Sequence, residues 1–308
     1  MRKTSWRIAQ AVIGAAILYF LVQHFLRNWR EMERQPIQWD IHWEFIVASL
    51  IVTWAMYGVL IWGWRTVLQG WREYIKIVDA ARIWTISSLG AYIPGKLWSI
   101  AGMALMAQQR GISPAAATGS AVIMQLLSIA TGAVLALALV GAELLNRVLG
   151  DVGLVGAGVL ALVALVGAIA LTSASLTRRI GFVLGRPEAI KPVEPEALAG
   201  AIFANLVAWA GYGIALQLLL LGTLKGVELS WGTATGAFAA SYIIGYLALF
   251  LPAGVGVREA VMLTLLTPSI GPDAALAITA ASRVVLTINQ VGAAVPFLLL
   301  RRQPRVQS

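Results

Sequence analysis

The sequence predicts an all-α polytopic membrane protein with about six full transmembrane helices and two re-entrant helical hairpins in an inverted repeat. Three observations favour this fold. Of the 308 residues, 59% are hydrophobic and only 12% are charged, whereas soluble domains carry about 25% charged residues. Several windows reach the roughly 20 residues that a helix needs to cross a bilayer. Two further apolar segments are interrupted by proline and glycine.

Six apolar windows mark the predicted full crossings. They lie near Ile8–Leu26, Phe45–Trp62, Ala115–Val140, Val152–Leu171, Ala197–Leu221 and Ala274–Leu300. The first is read as a transmembrane helix, because its apolar part is too long for a typical signal peptide and no small-residue cleavage site follows. The longest polar connection, 177–196, is too short to bury a core of its own. We therefore expect one integral membrane domain over 1–308.

The distribution of basic residues predicts the orientation. If the N-terminus lies in the cytoplasm and the chain crosses the membrane six times, most lysines and arginines outside the crossings fall on the same side as the N-terminus. Such an excess marks cytoplasmic segments. We therefore expect a multi-pass protein of the cell (inner) membrane with both termini in the cytoplasm. Five tryptophans near the ends of apolar runs are expected to be interfacial anchors: Trp39, Trp43, Trp62, Trp64 and Trp231.

The two interrupted segments resemble each other. YIPGKLWSIAGMALMAQQRGISPAAA begins at Tyr92, and FLPAGVGVREAVMLTLLTPSIGPDAA begins at Phe250. One constant offset aligns Pro94 with Pro252, Pro114 with Pro272 and Gln125 with Arg283. We therefore expect repeat units over about 77–141 and 235–300, connected through the cytoplasmic loop 177–196.

The charges around the two segments indicate that they enter from opposite faces. The first segment lies between cytoplasmic basic residues, and the second between external polar residues, which is the pattern of an inverted-topology repeat. The limb from Leu97 to Gln108 spans only about 18 Å as a helix. We therefore expect re-entrant hairpins with apices at Pro94–Lys96 and Pro252–Arg258. Two additional full helices are the alternative, since the first limb of the second hairpin is long enough to span.

Four ionisable residues belong to the predicted buried set: Lys96, Arg258, Glu259 and Arg283. A charge at the centre of a membrane helix costs about 2.5–3.5 kcal/mol, and one glutamate cannot neutralise three cations. Lys96 and Arg258 also lie near predicted helix N-termini, which attract anions. The pattern predicts an anion site, for which a lipid phosphate is the natural membrane-resident ligand. The structural alternatives are an Arg258–Glu259 ion pair, an Arg283–Glu259 pair, and a Lys96 side chain that extends to the interface.

Catalytic and metal chemistry are poorly supported by the sequence. The chain has no cysteine and two histidines, neither with a partner at the helical spacing of a metal site. Glu259 is the one plausible intramembrane acid, and GVGVREA lacks the ending of a phosphate-binding loop. We expect no metal, no cofactor and no enzymatic activity.

Four stretches of the chain together resemble the flippase-type transmembrane domain of lysylphosphatidylglycerol synthases: YIPGKLWSIAGM, RGISPAAATGSAVI, LFLPAGVGVREAVM and ASRVV. The resemblance covers about Ile8 to Leu300 and implies a stand-alone member without the soluble aminoacyl-transferase domain. It implies functional positions at both apices and in the later helix: Pro94, Gly95, Lys96, Pro252, Gly254, Gly256, Arg258, Glu259 and Arg283. Many relatives carry charged residues where this chain has Met124, Gln125 and Ser128, so the family substrate does not transfer directly.

The predicted function is that of a flippase-like lipid transporter. It would bind the phosphate of an anionic or polyprenyl-linked phospholipid at the two apices, with Lys96, Arg258, Glu259, Arg283 and Gln125 as binding residues, and move the lipid between leaflets. The main alternative is a non-transporting membrane partner of a glycosyltransferase or lipid-modifying enzyme. A transporter of small anions or metabolites is the third possibility. Nucleic acid is not an expected partner.

Overall fold

The computed structural model describes residues 39–93, 97–170, 172–183, 192–248 and 251–299. Across these ranges the chain is helical, and β-pairing is confined to an isolated bridge between Trp39 and Leu224. The helices in the first half are α1 (Trp43–Gln69), α2 (Ile77–Ser88), α3 (Leu97–Gln108), α4 (Pro114–Val140), α5 (Ala142–Ala170) and α6 (Ala174–Val183). The second half contains α7 (Pro195–Leu221), α8 (Trp231–Leu247), α9 (Val257–Ile270) and α10 (Pro272–Leu299).

Two short 3₁₀ turns interrupt this order, at Leu89–Tyr92 and Pro252–Gly254. In each half a helix is followed by a 3₁₀ turn, then by a helix of 12 or 14 residues, and then by a long helix. The long helices begin at Pro114 and Pro272, where the missing proline N–H is tolerated because it has no intrahelical partner at that position. The two 3₁₀ turns contact each other.

Four helices are long and apolar enough to cross a membrane: α1, α4, α7 and α10. They confirm four predicted windows as membrane-compatible helices. The window at Ile8–Leu26 lies outside the described residues, as do 184–191 of the predicted loop. The Val152–Leu171 window falls largely within α5, which is interrupted at Gly150, where φ is +67°, and which is not among the four candidate spans.

The outer surface is apolar where contact with lipid is expected. α5 exposes Val155, Leu162 and Val163, each by 60% or more. A soluble protein rarely leaves a contiguous face of this kind uncovered, whereas hydrocarbon accommodates it. The exposure therefore agrees with a membrane-embedded chain.

Two buried clusters form the interior. The first is built mainly from α1 to α4 with the start of α7, and it includes Trp64, Leu68, Ile83, Ile123 and Leu127. The second is built mainly from α7 to α10 with parts of α4 and α5, and it includes Leu220, Met262, Leu265, Leu266 and Ile278. α4 and α7 contribute to both clusters.

Trp64 corrects one expectation. It is fully buried, and its indole Nε1–H donates to Ser120 Oγ at 2.9 Å. Its position near the end of an apolar run indicated an interfacial anchor, but the pairing of α1 with α4 encloses it. The other four tryptophans of that set are exposed by 42–69%, as interfacial anchors would be.

Small residues allow the helices to approach closely, as is common where membrane helices pack. Gly213 on α7 faces α8, and a Cβ at this position would collide with Thr235 Oγ1 and lie 2.8 Å from Thr235 Cα. Gly58 on α1 is the opposite case, with nothing within 4 Å of an added Cβ.

We predict that Gly213→Ala lowers the thermal unfolding midpoint in detergent by several degrees, because the α7–α8 contact cannot absorb a methyl group. Overpacking of this kind typically costs about 1–3 kcal/mol. Gly58→Ala is the matched control and should leave the midpoint unchanged or slightly raised, because alanine favours a helix over glycine by about 1 kcal/mol. Equal midpoints for the two variants would contradict the close α7–α8 packing.

Candidate functional site

The second interrupted segment is a tight, glycine-dependent turn. α8 ends at Leu247, the chain passes through the 3₁₀ turn Pro252–Gly254, and α9 begins at Val257. Gly254 has φ +68°, and a Cβ there would lie 2.5 Å from the carbonyl oxygen of Gly245. Only glycine satisfies both the backbone angle and this approach. The glycines predicted for the apex therefore have a structural basis.

Gly245 brings α9 against α8. A Cβ at Gly245 would lie 2.9 Å from the Cβ of Arg258. The absence of a side chain on α8 thus leaves the room in which Arg258 enters the interior from the first turn of α9.

The Arg258 guanidinium is buried without an ionic partner. Arg258 is only 8% exposed, and its Cζ lies 4.9 Å from the ring centroid of Phe238 and 5.4 Å from that of Tyr242. Within the described part of the chain no hydrogen bond or salt bridge reaches the guanidinium, and its buried Nη2 has no hydrogen-bond partner. Two cation–π contacts offset part of the desolvation, but the N–H donors remain available.

Glu259 is already occupied by other groups. Its Oε2 accepts a hydrogen bond from the Gly256 N–H at 2.6 Å, and its Oε1 lies 3.4 Å from Arg283 Nη1. The carboxylate therefore caps the N-terminus of α9, where a negative charge is favourable. The Arg258–Glu259 ion pair considered from the sequence does not form; Glu259 pairs with Arg283 instead, because the helix directs adjacent side chains to different sides.

Arg283 connects α10 to the turn that precedes α9. Besides the ion pair with Glu259, its Nη1 donates to the Ala253 carbonyl oxygen at 3.2 Å. Ala253 has φ +48°, an unfavourable region for a residue with a Cβ. The Nη2 of Arg283 is buried without a hydrogen-bond partner. Arg283 thus combines a structural contact with an unused donor.

A cavity of about 190 Å³ brings the two interrupted segments together. Gln125 from α4, Arg258 from α9 and Arg283 from α10 all line it, although more than 130 residues separate Gln125 from Arg258. Tyr92 also lines it, and its hydroxyl donates to Gln290 Oε1, which links the first 3₁₀ turn to α10. A smaller cavity of about 80 Å³ shares Arg258 and Gln290 with it.

The predicted site residues fall into three groups. Gln125, Arg258 and Arg283 line the cavity, whereas Glu259 lies beside it and holds Arg283. Pro252, Gly254 and Gly256 form the turn that precedes α9. Pro94, Gly95 and Lys96 of the first apex lie outside the described residues, and their predicted roles remain predictions.

Sequence reasoning missed the neutral polar part of the lining. Five tyrosines line the cavity: Tyr57, Tyr92, Tyr212, Tyr242 and Tyr246. Thr287 and Gln290 also line it, and they follow Arg283 at the four- and seven-residue spacings of one helix face. That spacing was a usable signal, whereas the tyrosines are scattered along the chain and only the fold brings them together.

An apolar helical exterior around a cavity with two arginines and many neutral polar groups defines a polytopic membrane protein with an internal polar site. Comparison with known families agrees with this class. Residues 7–293 match the family described as the lysylphosphatidylglycerol synthase TM region, and the chain belongs to that family. No curated protein matches the chain. Membership in this family indicates a membrane function related to lipids.

We predict that Gly254→Ala disrupts the site more than Gly256→Ala. Both glycines have positive φ, +68° and +86°, but only at Gly254 would a Cβ meet backbone atoms, since Gly256 has nothing within 4 Å. Gly256→Ala should cost about 1–3 kcal/mol from its backbone angles alone, φ +86° and ψ −53°, with Gly254→Ala costing more. Thermal unfolding of the two variants in the same detergent measures the difference, and a larger loss for Gly256→Ala would contradict the turn geometry.

Proposed function

We propose that the protein is a flippase-like lipid transporter that binds the phosphate of an anionic or polyprenyl-linked phospholipid in the cavity lined by Arg258 and Arg283. The observation that carries this proposal is the Arg258 guanidinium, which is buried, unpaired and faces the cavity. A buried charge without a partner is strongly unfavourable, so a ligand of opposite charge is the simplest reason for its position. Arginine is well suited to phosphate because its planar donors bind two oxygens at once.

The position of Arg258 adds to the electrostatic attraction. It is the second residue of α9, a helix of 14 residues, and helix N-termini carry a partial positive charge that favours phosphate. Arg283 contributes a second guanidinium from α10. The ion pair with Glu259 offsets one of the two positive charges, so the pair of arginines retains capacity for one anion.

We propose a topology with six full crossings and two re-entrant hairpins in an inverted repeat, with both termini in the cytoplasm at the cell membrane. The lengths of α2 and α3, 12 residues each, support it, because about 18 Å of helix does not cross a hydrocarbon core of about 30 Å. The contact between the two 3₁₀ turns supports apices that meet inside the protein. Irregular backbone at membrane depth is tolerated only where protein or a water-filled cavity surrounds it.

Transport without chemical modification fits the groups around the cavity. No aspartate, glutamate, histidine or lysine is among the described residues that line it, so of the usual general acids and bases the described lining offers only tyrosine hydroxyls. Glu259, the nearest acid, is engaged by Gly256 and Arg283. We therefore propose that the lipid passes through unchanged, and that any enzyme that makes or uses it is a separate partner.

We predict that Arg258→Gln removes bound phospholipid and lipid movement together, because the variant loses the charge and the forked donors. Native mass spectrometry of the full chain, gently extracted from its membrane, measures the retained lipid. Dithionite quenching of fluorescent phospholipid in proteoliposomes measures movement between leaflets. We expect at least a tenfold loss of the specific lipid, since a charged hydrogen-bonded contact is worth about 1.5–3 kcal/mol and tenfold corresponds to about 1.4 kcal/mol.

Arg110→Gln is the matched control, since it also removes one arginine but lies outside the cavity, where Arg110 pairs with Asp79 at 2.7 Å. Both activities should survive this change. Lipid binding that depends on Arg258 without any lipid movement would support the non-transporting partner instead. Inorganic phosphate that competes as well as phospholipid would indicate a solute carrier. Unselective lipid in wild type and variant alike would overturn the phosphate site.

A further inference from the structure

The described residues that line the cavity carry positive charge only. They include two guanidinium groups, Arg258 and Arg283, and no carboxylate. Glu259 follows Arg258 in the chain, but it accepts a hydrogen bond from Gly256 N–H and forms an ion pair with Arg283, and it does not line the cavity. Every residue of α4 is uncharged, so the wall that it contributes through Met124, Gln125 and Ser128 is neutral.

The remaining polar groups are hydroxyls and amides. Gln125 lines the cavity and forms no hydrogen bond with another described residue, so both its acceptor oxygen and its two N–H donors are available. Asn205 and Ser128 line the same space, as do the five tyrosines. Groups of this kind can both donate to and accept from hydroxyl groups, whereas none of them neutralises a positive charge.

We propose that the cavity selects a phosphate headgroup whose substituent is neutral and bears hydroxyl groups, that it rejects headgroups with an ammonium group, and that Gln125 is the residue that sets this selectivity. The proposal rests on the phosphate site described above and names the class of substrate for it. An ammonium group in the cavity would be desolvated without a carboxylate among the described lining residues, a cost that the faces of the tyrosine rings offset only in part. It would also be repelled by the two arginines.

This selectivity separates the chain from the lipid in the name of its family. Lysylphosphatidylglycerol adds ammonium groups to a glycerol headgroup, so it would require a carboxylate that the described lining lacks. Phosphatidylglycerol has the same phosphate and glycerol without those charges. The two lipids therefore form a matched pair of probes.

The test is competitive native mass spectrometry of the purified full chain with four lipids of identical acyl chains. The lipids are phosphatidylglycerol, phosphatidylinositol, phosphatidylethanolamine and lysylphosphatidylglycerol. We expect the two hydroxyl-bearing lipids to bind at least about tenfold more tightly than the two ammonium-bearing lipids, a ratio that corresponds to about 1.4 kcal/mol. Lysylphosphatidylglycerol bound as tightly as phosphatidylglycerol would overturn the proposal while leaving the phosphate site intact. Binding of none of the four would overturn the headgroup proposal, and the Arg258→Gln comparison would then decide whether the phosphate site itself stands.

Gln125→Glu provides the second arm, because it places a carboxylate in the cavity with almost no change in shape. We expect the preference for phosphatidylglycerol over lysylphosphatidylglycerol to fall at least about fivefold. That factor is the lower end of the range of affinity changes, about 5- to 150-fold, that energetic coupling typically produces. The ratio is measured within one preparation, so a partly unfolded sample does not alter it. Ser128→Asp places an acid one helical turn further along α4, and it serves if Gln125→Glu does not fold.

Gln69→Glu is the matched control. Gln69 is exposed at the end of α1 and does not line the cavity, so the same chemical change there should leave the lipid ratio as in wild type. An equal shift in Gln69→Glu and Gln125→Glu would indicate a general effect of charge and would contradict a role for Gln125. A ratio unchanged in both Gln125→Glu and Ser128→Asp would contradict it as well.

Discussion

The unpaired charge of Arg258 is the constraint on which the arrangement of the site depends. Its guanidinium is 8% exposed and is stabilised in the described structure by the faces of Phe238 and Tyr242 rather than by an anion. Contacts of this kind are worth about 2 kcal/mol or more each when desolvated, so the two together offset part of the several kcal/mol that it costs to bury an ion. The imbalance supports the proposed phosphate site. Glu259, one residue away, is paired with Arg283, so it leaves the guanidinium of Arg258 open to the proposed anion.

The backbone around Arg258 maintains that separation. The close approach of Gly254 to Gly245 brings α9 against α8, and Gly245 leaves space for the Cβ of Arg258. Arg283 then fixes the turn from the other side through the Ala253 carbonyl oxygen and Glu259. Two arginines from different helices thus have different tasks. Arg283 connects α10 to the turn, and Arg258 is left with free donors. In membrane proteins such buried ionisable groups usually mark a functional site.

The sequence was sufficient to predict the parts of the fold and of the site that depend on local pattern. Apolar windows predicted α1, α4, α7 and α10, and the paired prolines predicted the starts of α4 and α10 at Pro114 and Pro272. The glycines and charges of LPAGVGVRE predicted a turn followed by a helix that begins beside Arg258. Long-range packing was not predictable in this way. The burial of Trp64, the choice between Arg258 and Arg283 as the partner of Glu259, and the five tyrosines of the cavity all depend on which helices meet. A single sequence gives no signal for that.

The most direct test of the central claim is an experimental structure of the full chain in lipid nanodiscs that contain phosphatidylglycerol, at a resolution that shows headgroups. We expect phosphate density in the cavity, with an oxygen about 2.7–2.9 Å from a guanidinium nitrogen of Arg258, the distance of a charge-assisted hydrogen bond. A carboxylate seated against Arg258, or a cavity filled only by water with all lipid on the outer surface, would contradict it.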